Sequence, residues 1–164
     1  MLTDASISTP SAAAAMFFAA LPADAREERV FVLPLDGSGR VIAKPILVSL
    51  GHEDGTAQID AGAIFREMHL RRSRQVPRRA QRGAFAKANV ARGCAFKAGA
   101  EEIIVAHNHP SGDPTPSKAD CDTTVRLNEG ASLVGLELID HIILGSVDSA
   151  NGLGFVSMAE LMAE

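Results

Sequence analysis

Residues 105–120 read VAHNHPSGDPTPSKAD and place two histidines, three prolines and two aspartates within sixteen positions. The short apolar run before His107 is typical of a buried strand. Because strand side chains alternate between the two faces, His107 and His109 are expected to point to the same side. The prolines stiffen a loop that leads to a helix start, where Ser117 fits the N-cap and Asp120 follows in the first turn.

This spacing predicts a metal site. Two imidazoles on one strand face and a carboxylate at a helix N-terminus supply three ligands, which leaves the fourth position of a tetrahedral zinc ion open to water, as catalytic zinc sites require. We therefore predict one Zn²⁺ per chain, bound by His107, His109 and Asp120. The alternative is purely structural, because Ser117 and Asp120 also fit an S-x-x-D capping pattern.

The rest of the chain alternates between strand and helix patterns, which indicates an α/β fold. Thr9 as N-cap and Pro10 at the first helical position predict a short amphipathic helix that ends before Pro22. Pro45 marks an edge or a bulge in the second strand. Strands are predicted over 28–36, 41–50, 57–60, 102–109, 136–145 and 154–158, and further helices over 61–70, 84–100, 117–133 and the C-terminal residues.

The composition favours one globular domain of a cytoplasmic protein. The chain has 164 residues, 46% of them hydrophobic, which suits a single domain with its own core. No apolar run reaches the roughly 20 residues that span a bilayer. The apolar stretch 12–21 is preceded by Asp4 instead of a basic residue, the wrong flank for a signal peptide. Cys94 and Cys121 are interpreted as reduced thiols.

The positive charge is concentrated in one segment. Residues 66–97 hold ten of the sixteen Lys and Arg residues and a single acidic residue, within a chain of net charge −4. Part of this segment, 71–83 (RRSRQVPRRAQRG), has no hydrophobic periodicity and contains Pro77, so we predict an exposed loop. Such asymmetry indicates a charged partner or internal pairing.

The string HxH, seven residues, then S-x-x-D resembles the JAMM motif of the JAB/MPN metalloproteases, and HNHPSGDPTPSKAD resembles its RadC branch. The similarity extends to LIDHIILG (138–145) and to the FVLPLD strand (31–36). The resemblance implies a single-domain MPN/JAB fold over 26–164, with a mixed, mostly antiparallel sheet flanked by helices, as in cytidine deaminases. Residues 1–25 would then be a helical extension, and about 68–83 a basic loop insertion.

The resemblance also implies catalytic roles. Ser117 matches the serine that hydrogen-bonds the tetrahedral oxyanion, and a glutamate near the start of the first strand acts as the base. Glu28 is the best match, and Glu27, on the other side of the strand, is the alternative. The implied activity is that of a zinc-dependent peptidase, an isopeptidase or deconjugase that cleaves after the C-terminus of a ubiquitin-like modifier. This substrate class comes from the superfamily alone.

Other interpretations stay open. The RadC resemblance is compatible with a nucleic-acid-associated protein of DNA repair or mobile elements, and the fold with an inactive JAB scaffold. The HPRE-like stretch of relatives is not evident in 59–68. The basic segment is a substrate-binding loop, a nucleic-acid contact through 66–97, or a solvated face. The pair Asp140–His141 is a strand pair or a support of the metal site, and a homodimer is compatible with the sequence. The candidate substrate-binding residues are Arg71, Arg72, Arg74, Arg78, Arg79 and Arg82.

Overall fold

The computed structural model describes residues 6–23, 25–50, 100–146, 148 and 152–163. Within these residues the chain forms three helices and five strands. In chain order they are α1 (Pro10–Ala20), β1 (Arg29–Leu35), β2 (Ile46–Leu50), β3 (Glu102–Asn108), α2 (Lys118–Leu133), β4 (Glu137–Leu144), β5 (Phe155–Ser157) and α3 (Met158–Met162).

The described strands form one sheet in the order β2-β1-β3-β4-β5. Strands β3 and β4 are parallel, and the other neighbours are antiparallel. A parallel pair needs a crossover, and α2 supplies it. The prediction of an α/β fold with a mixed, mostly antiparallel sheet and flanking helices is confirmed. This topology brings the end of β3, the start of α2 and the start of β1 to one edge of the sheet, namely the edge formed by the carboxyl ends of β3 and β4.

Apolar side chains cover both faces of the sheet. On one face, residues of β1, β2 and β3 pack with α2 through Leu127 and Ala131. On the other face, alternate residues of β1, β3 and β4 pack with α1 through Ala13, Ala14 and Phe17. All residues of β3 after Glu102 are therefore buried. This two-sided burial explains the continuous apolar run in the sequence.

The predicted first helix is confirmed, including Pro10 in its first turn and the Thr9 cap, whose side chain accepts a hydrogen bond from the Ala12 backbone N–H. The prediction that it is amphipathic is wrong, because two of its solvent-exposed positions, Ala15 and Ala19, are apolar as well. Burial nevertheless distinguishes one face of the helix, which carries Ala13, Ala14 and Phe17. Phe17 is fully buried, and its ring lies 6.4 Å from that of Phe31.

The predicted strand over 41–50 is only half right, because the regular strand begins at Ile46, directly after Pro45. Proline has no N–H for the sheet and is confined to edges, where β2 indeed lies. Val41 forms only an isolated bridge with Leu35. The predicted elements at 57–60, 61–70 and most of 84–100 lie outside the described residues. None of the described helices combines the length and apolar character needed to cross a membrane.

We predict that Phe17→Ala lowers the free energy of unfolding by about 3–5 kcal/mol, because it leaves a cavity between α1 and the sheet. Urea unfolding followed by circular dichroism measures the change. The control Ala15→Ser, at an exposed position of the same helix, should change stability by no more than about 0.5 kcal/mol. A loss below about 1 kcal/mol for Phe17→Ala would show that α1 is not part of the cooperative core.

Candidate metal centre

Three potential ligand groups meet at the carboxyl end of β3. The Nε2 atoms of His107 and His109 lie 3.1 Å apart. The Asp120 carboxylate places Oδ1 3.2 Å from His107 Nε2 and Oδ2 3.6 Å from His109 Nε2. His107 is buried, whereas the side chain of His109 is 21% exposed. The three residues form a cluster that could hold a metal ion, with His109 at its accessible side.

A backbone contact fixes the orientation of the His109 ring. Its Nδ1 lies 2.8 Å from the carbonyl oxygen of Asp113. Because a carbonyl oxygen only accepts, Nδ1 carries the hydrogen, and the Nε2 of the neutral ring presents its lone pair to the cluster. The His109 backbone N–H also donates to the Leu144 carbonyl at 2.8 Å. His109 is therefore tied both to its own loop and to β4.

The His107 ring is held from behind by two further side chains. Its Nδ1 lies 2.8 Å from Nε2 of His141 on β4. The other ring nitrogen of His141, Nδ1, lies 2.7 Å from the Thr124 hydroxyl on α2. Burial, reinforced by the neighbouring His107, lowers the pKa of His141 to about 3. His141 is therefore a neutral imidazole at physiological pH.

Asp120 forms the capping box and also lies in the cluster that could hold a metal ion. Its Oδ2 accepts hydrogen bonds from the Ser117 backbone N–H at 2.7 Å and from the Ser117 hydroxyl at 2.6 Å. The Ser117 hydroxyl oxygen in turn accepts from the Asp120 N–H, which completes a capping box. Partial burial alone would raise the pKa of Asp120. The hydrogen bonds from His107, His109 and Ser117 outweigh it and hold this pKa well below its ordinary value.

The donor set suits a small divalent cation. With the outer nitrogen of each ligand ring engaged, two imidazole lone pairs and a carboxylate converge, and a positive charge is needed to balance them. Ligand atoms in a tetrahedral zinc site lie roughly 3.3 Å apart, as follows from Zn–N distances near 2.0–2.1 Å, which matches the separations here. A proton can also supply this positive charge. The hydrogen bond to Asp120 raises the pKa of His109, although burial alone would lower it.

Close packing holds the loop between the ligands. The Ser146 N–H donates to the Gly112 carbonyl at 2.7 Å, and Gly112 has a positive φ of 82°. A Cβ on Gly145 would lie 2.5 Å from that carbonyl oxygen and 2.6 Å from Cδ of Pro114. Only glycine allows this approach. The loop that carries His109 therefore rests directly on the chain leaving β4.

Glu28 precedes β1 at the same edge of the sheet. Val30 pairs with His107 in the antiparallel register, so continuing this register by two residues places Glu28 opposite His109. The Asn108 side chain fixes the backbone on both sides of Glu28. It accepts from the Arg29 N–H at 2.8 Å and donates to the Glu27 carbonyl at 3.2 Å. The negative charge of Glu28 also contributes, after Asp120 and Asp113, to the raised pKa of His109.

Comparison with known proteins agrees with this geometry. Residues 82–162 match the family model of the RadC-like JAB domain. The chain carries a RadC-like JAB domain.

A UPF0758 protein of Carboxydothermus hydrogenoformans is 59% identical over 51 residues, which cover 31% of this chain and 23% of that protein. UPF0758 proteins of Clostridium botulinum strain Hall and Staphylococcus haemolyticus are each 57% identical over 51 residues, 31% of this chain and 22% of theirs. The chain thus spans less than a quarter of the length of these curated relatives.

The predicted site residues of the JAB domain fall into three groups. His107, His109 and Asp120 lie together, and Ser117 is hydrogen-bonded to Asp120. Glu28 is half-buried at the same edge, whereas Glu27 is exposed. The six candidate arginines of 71–82 lie outside the described residues. Cys121 is a half-buried free thiol, and Cys94 lies outside the described residues.

Sequence reasoning missed Thr124, Asn108 and Gly145. Thr124 stands four residues after Asp120, so helical periodicity places the two on one face, and this was the available signal. Asn108 lies between the two histidines in the sequence, and strand alternation indicates only that its side chain points to the opposite face. The pair Asp140–His141 was predicted to be a strand pair or a support of the metal site, and the structure places His141 against His107. The other half, Asp140, accepts hydrogen bonds from Ser157 and from two backbone N–H groups.

We predict that Asp120→Ala and Asp120→Asn both weaken Zn²⁺ binding at least about 100-fold, as measured by chelator competition. The two variants should differ in metal-free stability. The alanine variant loses the hydrogen bonds that the Asp120 carboxylate accepts from the Ser117 N–H and hydroxyl, and with them about 1 kcal/mol of stability, whereas the asparagine oxygen still accepts from the Ser117 N–H. Asp122→Ala, an exposed acidic residue on the same helix, is the control and should bind Zn²⁺ like the wild type. Unchanged Zn²⁺ affinity in Asp120→Asn would contradict the assignment of this ligand.

Proposed function

We propose that this chain is a zinc-dependent hydrolase that cleaves peptide or isopeptide bonds. The observation that carries the proposal is the convergence of His107 Nε2, His109 Nε2 and the Asp120 carboxylate at an accessible edge of a JAB domain. These three groups would hold the ion. When bound, zinc would lower the pKa of a water molecule to about 7 and polarise the scissile carbonyl.

Glu28 is the proposed general base. Its carboxylate would accept a proton from the attacking water and pass it to the departing amine, which typically contributes 10²–10⁴-fold to the rate. Its placement opposite His109 and its effect on the pKa of that residue support this role. The two hydrogen bonds from Asn108 to the flanking backbone would keep the carboxylate in place during turnover.

Ser117 is the proposed donor to the oxyanion. Its residue is exposed, and its hydroxyl lies within hydrogen-bond distance of the Asp120 ligand. By rotating, the hydroxyl can donate to the negative charge that develops on the former carbonyl oxygen. The Asp120 carboxylate would keep the backbone N–H bond of the capping box meanwhile, so the helix start would stay intact.

The substrate class that we propose is the extended C-terminal tail of a ubiquitin-like modifier, joined to an amine. Its support is the superfamily resemblance, together with the arginine-rich run at 71–83, which could contact such a tail. The variant in which all six arginines between 71 and 82 are replaced by glutamine is therefore expected to raise KM with little change in kcat.

Glu28→Gln provides the decisive test. The variant should bind Zn²⁺ like the wild type and lose at least about 100-fold in kcat on linear and isopeptide-linked ubiquitin-like fusions. Glu27→Gln, which removes the neighbouring exposed carboxylate, is the matched control and should keep its activity. Full turnover by Zn²⁺-loaded Glu28→Gln would exclude Glu28 as the base. Zn²⁺-loaded wild type that cleaves no fusion would count against the hydrolase.

A second candidate is a RadC-like protein that associates with nucleic acid. The family match and the local excess of nine positive charges in 66–97 favour it. Phosphate contacts by these side chains would give salt-dependent affinity. Fluorescence anisotropy with duplex DNA at two salt concentrations tests it. Binding that is lost in the six-arginine variant and kept in Asp120→Ala would support it, and no binding at low salt would refute it.

A further inference from the structure

A continuous series of hydrogen bonds connects two of the proposed ligands, His107 and Asp120, behind the cluster. His107 Nδ1 contacts His141 Nε2 at 2.8 Å, and His141 Nδ1 contacts the Thr124 hydroxyl at 2.7 Å. The Thr124 hydroxyl donates to the backbone carbonyl of Asp120 at 2.8 Å. His107 and His141 are fully buried, and Thr124 nearly so. The series thus joins β3, β4 and α2.

The hydrogen bond from Thr124 to the Asp120 carbonyl fixes which group donates in each of the other hydrogen bonds of this series. The Asp120 carbonyl can only accept, so the single hydroxyl hydrogen of Thr124 is used there. Thr124 must then accept from His141, which places the hydrogen of His141 on Nδ1. His141 Nε2 is left as an acceptor, because a doubly protonated, fully buried imidazole facing two neutral groups would be costly. His107 therefore donates from Nδ1.

We propose that Thr124 and His141 are positioning residues that hold His107 in its Nδ1–H tautomer, with the Nε2 lone pair directed into the metal centre. This inference rests on the proposed metal site. The reverse order of hydrogens would put one on His107 Nε2, where it would point into the cluster and exclude a cation. Partners of this kind around a metal-binding histidine typically change affinity by 10–100-fold.

Thr124→Val and Thr124→Ser test the first link. Valine has the shape of threonine but cannot accept, so the His141 Nδ1–H would be buried without a partner. We expect Zn²⁺ affinity, measured by chelator competition, to fall about 10-fold or more in Thr124→Val and to stay near wild type in Thr124→Ser. Thr123→Val makes the same change at the half-buried neighbour and should leave Zn²⁺ affinity unchanged. Equal affinity in Thr124→Val and wild type would overturn the role of Thr124.

His141→Leu and His141→Gln test the second link. Leucine removes the acceptor for the His107 Nδ1–H, and a 10–100-fold loss of Zn²⁺ affinity is expected. Glutamine carries an amide oxygen that can accept at about the position of Nε2, so it should restore part of the affinity. If both variants fold, as seen by circular dichroism, and lose affinity equally, packing and not hydrogen bonding explains the loss, and the proposal fails.

Long-range ¹⁵N–¹H NMR of the histidine side chains in wild-type protein gives a readout that needs no variant. His141 is expected to be protonated on Nδ1 only, in the metal-free and in the Zn²⁺-loaded protein. Protonation on Nε2 in protein that binds Zn²⁺ would overturn the positioning role and leave the metal site standing. Wild type that binds no Zn²⁺ would overturn the metal site itself, whatever tautomer His141 adopts.

Discussion

Mutual repulsion among three hydrogen-bond acceptors is the constraint that shapes this molecule. Two imidazole lone pairs and a carboxylate are brought within 3.1–3.6 Å of one another at the end of β3. Such a cluster persists only if a positive charge occupies it and if the surrounding fold resists its separation. A proton can also supply this charge. Accordingly, the pKa of His109 is raised and the pKa of Asp120 is lowered.

The fold meets this constraint through topology. Buried strands β3 and β4 run parallel, so α2 must begin at the edge where β3 ends, and the candidate ligands on the strand and on the helix meet there. Strand β1 runs antiparallel to β3, so its first residues arrive at the same edge and bring Glu28 with them. The apolar clusters on the two faces of the sheet hold the end of β3, the start of α2 and the start of β1 in fixed positions relative to one another.

Much of this could be predicted from the sequence because the decisive relations are local. Strand alternation puts His107 and His109 on one side, and the cap of α2 places Asp120 one turn into the helix. Two contacts that the sequence did not predict depend on residues that are distant in the chain. Contact between His107 and His141 needs the β3–β4 register, which shifts between Ile103 and Ile104 and leaves no trace in the local pattern. The approach of Gly145 to Pro114 exists only in three dimensions.

The capping box formed by Ser117 and Asp120 affects which of the site residues related sequences are expected to keep. In a related protein that binds no metal ion, this aspartate would still stabilise the start of the helix. Selection for helix stability would then be enough to preserve it. Apart from its contacts within the cluster, the His109 ring bonds to the Asp113 carbonyl of its own loop, so it would contribute less than Asp120 to the folded structure when no ion is bound. We therefore expect His109 to be replaced more readily than Asp120 in related proteins that bind no metal ion.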